Sequence, residues 1–195
     1  MASNFRSDWN AAFGNAPPLS FRLWDEFHDR WFRIHSLPES KRYAETEEEY
    51  EILLSRAESL GNDILGVGEP CWLIAAYATP IDDDIVGLSP DWFFAHEAFD
   101  LQHKFDCIDP TKAPEDQRPW QVFATKTEWD FPRFRELLIK CADEIVFSNF
   151  WFSPSRKRLF MPYDGGIDIV LTNASEVPAY VSRYREWMSA RGDWL

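Results

Sequence analysis

The sequence lacks the motifs by which most enzyme sites are recognised. It has no Gly-x-Ser-x-Gly of serine hydrolases, no phosphate-binding loop of the Gly-x-x-x-x-Gly-Lys type and no His-Glu-x-x-His of zinc proteases. The stretch GVGEP has two of the three glycines of a dinucleotide fingerprint, but it precedes a strand-like run and not a helix. None of these enzyme classes is indicated.

The chain also lacks a long apolar run. The longest, CWLIAAYA, is far shorter than the roughly 20 residues that a membrane-spanning helix needs. The start, MASNFRSDWNAAFG, has no apolar run after a basic segment, as a signal peptide would have. The three cysteines form no Cys-x-x-Cys pair, which is typical of reduced thiols. We therefore expect a cytoplasmic protein without membrane contact.

Basic residues are scarce in the first half of the chain. The first 100 residues carry 7 Lys and Arg against 19 Asp and Glu, and the rest carry 13 against 14, so nearly all of the net charge of −13 lies in the first half. Such a field repels phosphate backbones, and we expect no nucleic-acid binding. It would instead attract a basic protein partner.

The acidic residues concentrate in two short stretches. The candidate partner-binding residues are Glu47, Glu48, Glu51, Asp82, Asp83 and Asp84. A solvated helix face that only aids solubility explains the same pattern, so both interpretations stay open.

Four helices are predicted from capping residues and helical spacing. They begin at Ser3, Thr46, Asp130 and Ser175. The clearest has a capping box, in which the Thr46 hydroxyl caps a backbone N–H while Glu49 reaches back, and Gly61 is expected to end it.

Strand-like runs lie between these helices. They cover residues 30–37, 71–78, 120–129, 145–152, 157–161 and 167–172. Because the strands are grouped and do not alternate strictly with helices, the pattern favours an α+β fold. We predict a single domain over 1–195, with a mainly antiparallel or mixed sheet packed by about four helices.

The stretch RLFMPYDGGIDIVLTN resembles an active-site rim but is better explained as a hairpin. Asp164-Gly165 stands between apolar runs, which indicates a two-residue turn with positive φ. Ile167 and Ile169 then share one face and Asp168 takes the other. No catalytic residue is assigned here, and we expect Asp168→Ala to be mild.

A polar group of residues forms an alternative site if residues 91–105 are helical. His96, Asp100 and His103 would then lie on one helix face, at a spacing that could present metal ligands. A solvated or salt-bridged face explains them as well, and no metal or cofactor is expected.

Aromatic residues make up 16% of the chain and include ten tryptophans. Burial in the core is their ordinary use, but a chain of 195 residues can hardly hide every one. Exposed aromatic clusters are common at protein interfaces and at sugar-binding platforms. Residues 92–94 and 147–152 are the candidate clusters.

One resemblance is carried by the last third of the chain. Residues 166–169, Gly-Ile-Asp-Ile, and then Tyr184 and Trp187 are similar to a bacterial family of domains of unknown function. The pattern of that family runs Tyr-Asp-Asp-Arg-Gly-x-Asp-Val and later Tyr-x-x-Trp; here Gly165 takes the place of the arginine. The resemblance implies no activity, although some acidic proteins of this kind resemble immunity proteins of toxin systems.

Two functions remain open at this point. The first is an acidic, cytosolic interaction protein, such as an immunity-like inhibitor, that binds a basic partner. The alternative is a small-molecule or carbohydrate binder, or an enzyme, with a pocket lined by tryptophan and by the polar face at residues 96–103. A flat acidic face would favour the first, and a deep pocket with converging polar groups would favour the second.

Overall fold

A computed structural model describes residues 4–78 and 94–189 of the chain. In this part, six α-helices are present: α1 Phe5–Phe13, α2 Ser20–Glu26, α3 Glu47–Leu65, α4 Phe94–Phe99, α5 Phe131–Ala142 and α6 Val177–Arg183. Seven strands accompany them: β1 Trp31–His35, β2 Pro70–Ala78, β3 Gln102–Ile108, β4 Pro119–Glu128, β5 Asn149–Ser153, β6 Arg158–Tyr163 and β7 Gly166–Val170.

The strands form one sheet in the order β1-β7-β6-β5-β2-β4-β3, and every neighbouring pair is antiparallel. The predicted α+β class is confirmed. The described part of the chain has six helices where about four were expected: α2 was not predicted, and α4 lies within the possible helix over 91–105. Strand β1 pairs with β7 across most of the chain length, with Arg33 opposite Asp168.

The sheet is covered by helices on both faces. Along the central strand β5, Phe150 and Phe152 pack into one hydrophobic cluster with α1 and α2, whereas Trp151 packs into the other with α3 and α5. All five residues of β5 are buried, because successive side chains point to opposite faces. Many of the aromatic residues are therefore buried in two separate hydrophobic cores, one on each face of the sheet.

Helix α3 begins as predicted but is longer. The Thr46 hydroxyl accepts a hydrogen bond from the Glu49 N–H at 3.3 Å, and the Glu49 carboxylate accepts one from the Glu45 N–H at 2.8 Å. We expected the helix to end at Gly61. It continues to Leu65 instead, and Gly66 follows with φ of 87°. The helix-ending glycine is thus the later one.

The predicted helix over 91–105 is wrong beyond Phe99. Helix α4 stops there, Asp100 has φ of 50°, and β3 begins at Gln102. Residues 91–93 lie outside the described part of the chain. The edge strand β3 is largely exposed, so its sequence lacks the apolar alternation by which a strand is recognised.

The hairpin at Asp164-Gly165 is confirmed, since Tyr163 pairs with Gly166 across a two-residue loop. The predicted positive φ is wrong, because neither loop residue has one. The position that requires glycine is Gly166, because a side chain there would clash. A Cβ there would lie 2.1 Å from the carbonyl oxygen of Ile34, so only glycine lets β1 approach β7 closely.

Within 4–78 and 94–189, no helix is both long enough and apolar enough to cross a bilayer.

Candidate functional site

A cavity of about 840 Å³ lies at one end of the sheet, where β2 and β6 end and β4 begins. Its walls come from both faces of the sheet, because Tyr77 and Cys141 belong to one core and Met161 to the other. This volume falls within the range of about 300–1,000 Å³ that is common for small-molecule sites.

Three aromatic side chains form the aromatic mouth of the cavity: Phe21, Trp120 and Phe147. The rings of Phe21 and Trp120 are 5.1 Å apart between centroids. Phe21 is 43% exposed and Phe147 is 41% exposed, so both rings are accessible from solvent. The mouth therefore presents apolar surface to whatever enters the cavity.

A hydrogen bond fixes one side of this mouth. The hydroxyls of Ser20 and Ser148 lie 3.0 Å apart and join α2 to the loop before β5. Phe21 and Phe147 are the chain neighbours of these two serines. The bond therefore holds the exposed rings on elements that are far apart in sequence.

The inner wall of the cavity is polar and is defined by Arg33, Tyr163 and Asp168. Arg33 donates from Nε to Asp168 Oδ1 at 2.7 Å and from Nη2 to Oδ2 at 2.8 Å. Trp31 Nε1 donates to the same Oδ1 at 2.9 Å. Asp168 is only 6% exposed, so this is a buried, bidentate ion pair.

The ion pair determines the charge of Arg33. Burial acts to lower the pKa of the Arg33 guanidinium, but the hydrogen bonds and charge of Asp168 outweigh burial and raise that pKa above its usual value. The guanidinium carbon also lies 4.8 Å from the centroid of the Tyr163 ring, a cation–π contact. Arg33 is thus a fixed cation whose charge Asp168 balances.

Tyr163 contributes a hydroxyl to the same wall. Burial raises the pKa of this phenol, so the hydroxyl stays protonated at neutral pH and can donate. In the described part of the chain, no group forms a hydrogen bond with it. The hydroxyl is therefore available to a ligand.

The other carboxylates beside the cavity are paired as well. Asp164 accepts a hydrogen bond from Arg42 Nε, and Arg42 Nη2 lies 3.8 Å from Glu144. Asp164 and Asp168 border one cavity, but each has its own arginine. They are not a proton-sharing acid pair, which agrees with the hairpin interpretation of this segment.

The loop between α5 and β5 holds two residues in the left-handed region. Glu144 has φ of 59° and Ser148 has φ of 55°, and both line the cavity. Such conformations cost energy in residues other than glycine and persist where the surrounding structure enforces them, often at functional sites.

Cys141 lines the cavity but is unsuited to nucleophilic chemistry. Burial raises the pKa of its thiol to about 12, so the thiol stays protonated at neutral pH. The cavity thus offers apolar surface and hydrogen-bond donors, and no activated cysteine.

The three residues of the predicted polar face do not share one helix, because α4 ends at Phe99 and His103 belongs to β3. His96 lines the cavity with its ring 5.0 Å from that of Phe123, and the His103 ring is 5.5 Å from the same phenylalanine. His103 instead contacts Asp106 at 2.7 Å, and Asp100 accepts a hydrogen bond from Gln102. Within the described ranges, no group of three His, Cys, Asp or Glu could hold a metal ion. That the protein needs no metal stays a prediction.

The acidic helix start is exposed, as expected. Glu47, Glu48 and Glu51 point to solvent at the beginning of α3, and no ion pair to them occurs among the described residues. Glu45 and Glu49 instead bind Lys41 at 2.9 and 2.7 Å. Asp82, Asp83 and Asp84 lie outside the described residues, so a joint patch with α3 stays a prediction.

Sequence reasoning missed the inner wall and most of the mouth. Arg33 and Asp168 were each visible as one charged residue in an apolar strand, flanked by Phe32 and Ile34 or by Ile167 and Ile169. That local signal could have suggested a buried pair. Phe21 was missed because α2 was not predicted.

A family model described as "Domain of unknown function (DUF3885)" matches residues 19–192. All the residues that line the cavity lie within this range. No curated protein and no solved structure matches the chain.

Proposed function

We propose that this chain, which belongs to the family described as DUF3885, binds a small and largely apolar organic molecule in the cavity at the end of the sheet. The observation that carries the proposal is the combination of exposed aromatic rings at the mouth with a polar inner wall. Ligand sites are typically apolar pockets in which a few polar groups fix the orientation.

The charges around the cavity support an apolar ligand. Arg33 is balanced by Asp168, and Arg42 by Asp164 and Glu144. An incoming apolar group therefore does not have to remove water from an unpaired buried charge, a step that costs several kcal/mol. The left-handed backbone conformations of Glu144 and Ser148 also support the proposal, because strained conformations are concentrated at binding sites.

A fragment screen by ligand-observed NMR tests the proposal on the full chain. We expect ring-bearing fragments to bind one at a time and to compete with one another. Phe147→Ala removes a ring of the mouth and should weaken them roughly tenfold, which corresponds to about 1.4 kcal/mol. Ile108→Ala removes an apolar side chain that is 48% exposed elsewhere and should change nothing. Absence of binding, or equal effects of both variants, would refute the proposal.

A second function has its own support in the exposed acidic residues of α3. We also propose that the protein acts as a cytoplasmic, immunity-like inhibitor that binds a basic protein through Glu47, Glu48 and Glu51. These carboxylates have no ion-pair partner among the described residues, so they are available to an external cation. Affinity capture with mass spectrometry, comparing the wild type with a variant reversed at these three positions, should recover a basic protein with the wild type only.

A further inference from the structure

We propose that the inner wall of the cavity recognises an uncharged oxygen acceptor, a carbonyl or a hydroxyl group, on a ring-bearing ligand. This inference rests on the proposed small-molecule function and adds the chemical class of the ligand. It depends on three properties of the wall: the free donors, the charge balance and the position of Tyr163.

Arg33 retains donors that Asp168 does not use. The Asp168 carboxylate accepts one hydrogen bond from Arg33 Nε and one from Nη2. Among the described residues, no group accepts a hydrogen bond from Nη1. The bidentate pair and the contacts with the Tyr163 and Trp31 rings hold the guanidinium in one orientation. The remaining N–H groups are therefore fixed donors beside the cavity.

The balance of charge selects against ions. A ligand carboxylate at Nη1 would approach Asp168, whose negative charge already neutralises Arg33. A ligand cation would instead meet the guanidinium itself. Like charges repel strongly at short range when little water separates them. An uncharged acceptor gains the hydrogen bond without either penalty.

Tyr163 provides a second donor on the same wall. Its ring stacks over the Arg33 guanidinium, and its protonated hydroxyl has no partner in the described part of the chain. A carbonyl or hydroxyl oxygen can accept two hydrogen bonds, one from each residue. The rest of such a ligand would extend toward Phe21, Trp120 and Phe147.

Four probes of matched shape test this selection: benzamide, benzoate, benzamidine and toluene. We would measure their dissociation constants by NMR titration of the full chain and of three variants: Tyr163→Phe, Phe147→Ala and the double replacement Arg33→Met/Asp168→Leu. The double replacement removes both charges together and so leaves no unpaired buried ion. Benzamide should bind most tightly. Tyr163→Phe should weaken benzamide roughly 3- to 10-fold, as expected for one hydrogen bond, and leave toluene unchanged.

The outcomes separate the two proposals. If benzoate or benzamidine binds more tightly than benzamide, or if toluene equals benzamide, the ligand class is wrong while cavity binding stands. The same holds if folded Tyr163→Phe and folded double variant both bind benzamide as the wild type does. If no probe binds, or if Phe147→Ala weakens none of them, both proposals fail.

Discussion

Gly61 lies directly against the indole ring of Trp129, so closely that an added Cβ would come 2.2 Å from Cζ2 of that ring. The indole N–H also donates to Asn62 Oδ1 at 2.8 Å. Trp129 is fully buried just after β4 and packs on Phe134 of α5 and Trp151 of β5. A glycine in the interior of α3 therefore serves packing and does not end the helix.

We predict that Gly61→Ala destabilises the protein by about 1–3 kcal/mol, as overpacking of a filled core does. Alanine favours an isolated helix over glycine by about 1 kcal/mol, so helix propensity alone predicts the opposite sign. Urea unfolding measures the difference. Ser55→Ala on the exposed face of α3 is the control and should stay within about 0.5 kcal/mol of the wild type. A more stable Gly61→Ala variant would show that Trp129 can move aside.

We predict that Asp168→Ala is strongly destabilising, by about 3–5 kcal/mol, because it leaves the Arg33 cation half-buried and uncompensated. The sequence alone led us to expect a mild effect, because the Asp164-Gly165 signal explained this segment as a hairpin and gave Asp168 no partner. Chemical unfolding monitored by tryptophan fluorescence gives the value.

The matched control is the double replacement Arg33→Met/Asp168→Leu, which should cost much less than Asp168→Ala alone. The difference in unfolding free energy between the two variants separates the effect of the unpaired charge from the effect of lost packing. Equal losses in both would indicate that shape, and not charge, makes Asp168 important.

Features of the structure could be predicted where the interacting residues are close in sequence, and were missed where they are distant in sequence. The capping box at Thr46, the helix start at Asp130 and the hairpin at Asp164 are local signals, and their elements were predicted near their observed positions. The pairing of Arg33 with Asp168 joins residues 135 positions apart, and no local pattern specifies it. The role of Gly61 was misread for the same reason, because its partner Trp129 is distant in sequence.

We predict that reversing Glu47, Glu48 and Glu51 to lysine leaves the melting temperature nearly unchanged, since these side chains are exposed and unpaired among the described residues. Binding of a basic partner should weaken, mainly through a slower association rate, and should also weaken with rising salt. Kinetics by surface plasmon resonance separate the two rates.

Glu49→Ala is the contrasting variant for this experiment. Its carboxylate binds Lys41 and the Glu45 N–H, so its loss should lower stability, as the loss of a helix cap does. A partner whose affinity responds neither to the reversals nor to salt would leave the acidic residues with a role in solubility alone.

We predict that stability falls as the pH decreases below about 6.5, partly because of His35. Burial, followed by the charge of Arg33, lowers the pKa of His35 in the folded state, and its buried Nε2 has no hydrogen-bond partner. The unfolded chain therefore binds the proton more readily. The contribution of His35 to the stability of the fold is complete above its unfolded-state pKa. It is lost as the pH falls through its lowered folded-state pKa.

Thermal unfolding of the wild type and of His35→Gln between pH 5 and pH 8 checks this sign. The variant should show a shallower decline of stability with acidification. Identical slopes in the two proteins would assign the pH dependence to other groups.

The pairing of β1 with β7 also governs the order in which the protein can be completed during synthesis. Strand β1 leaves the ribosome about 130 residues before β7, a delay of about 7 to 26 s at 5–20 residues per second. Throughout that interval Trp31, Phe32 and Ile34 have no strand to pair with, and Arg33 has no carboxylate opposite it. The inner wall of the cavity is therefore among the last features to form on a nascent chain, and its earliest strand waits longest for its partner.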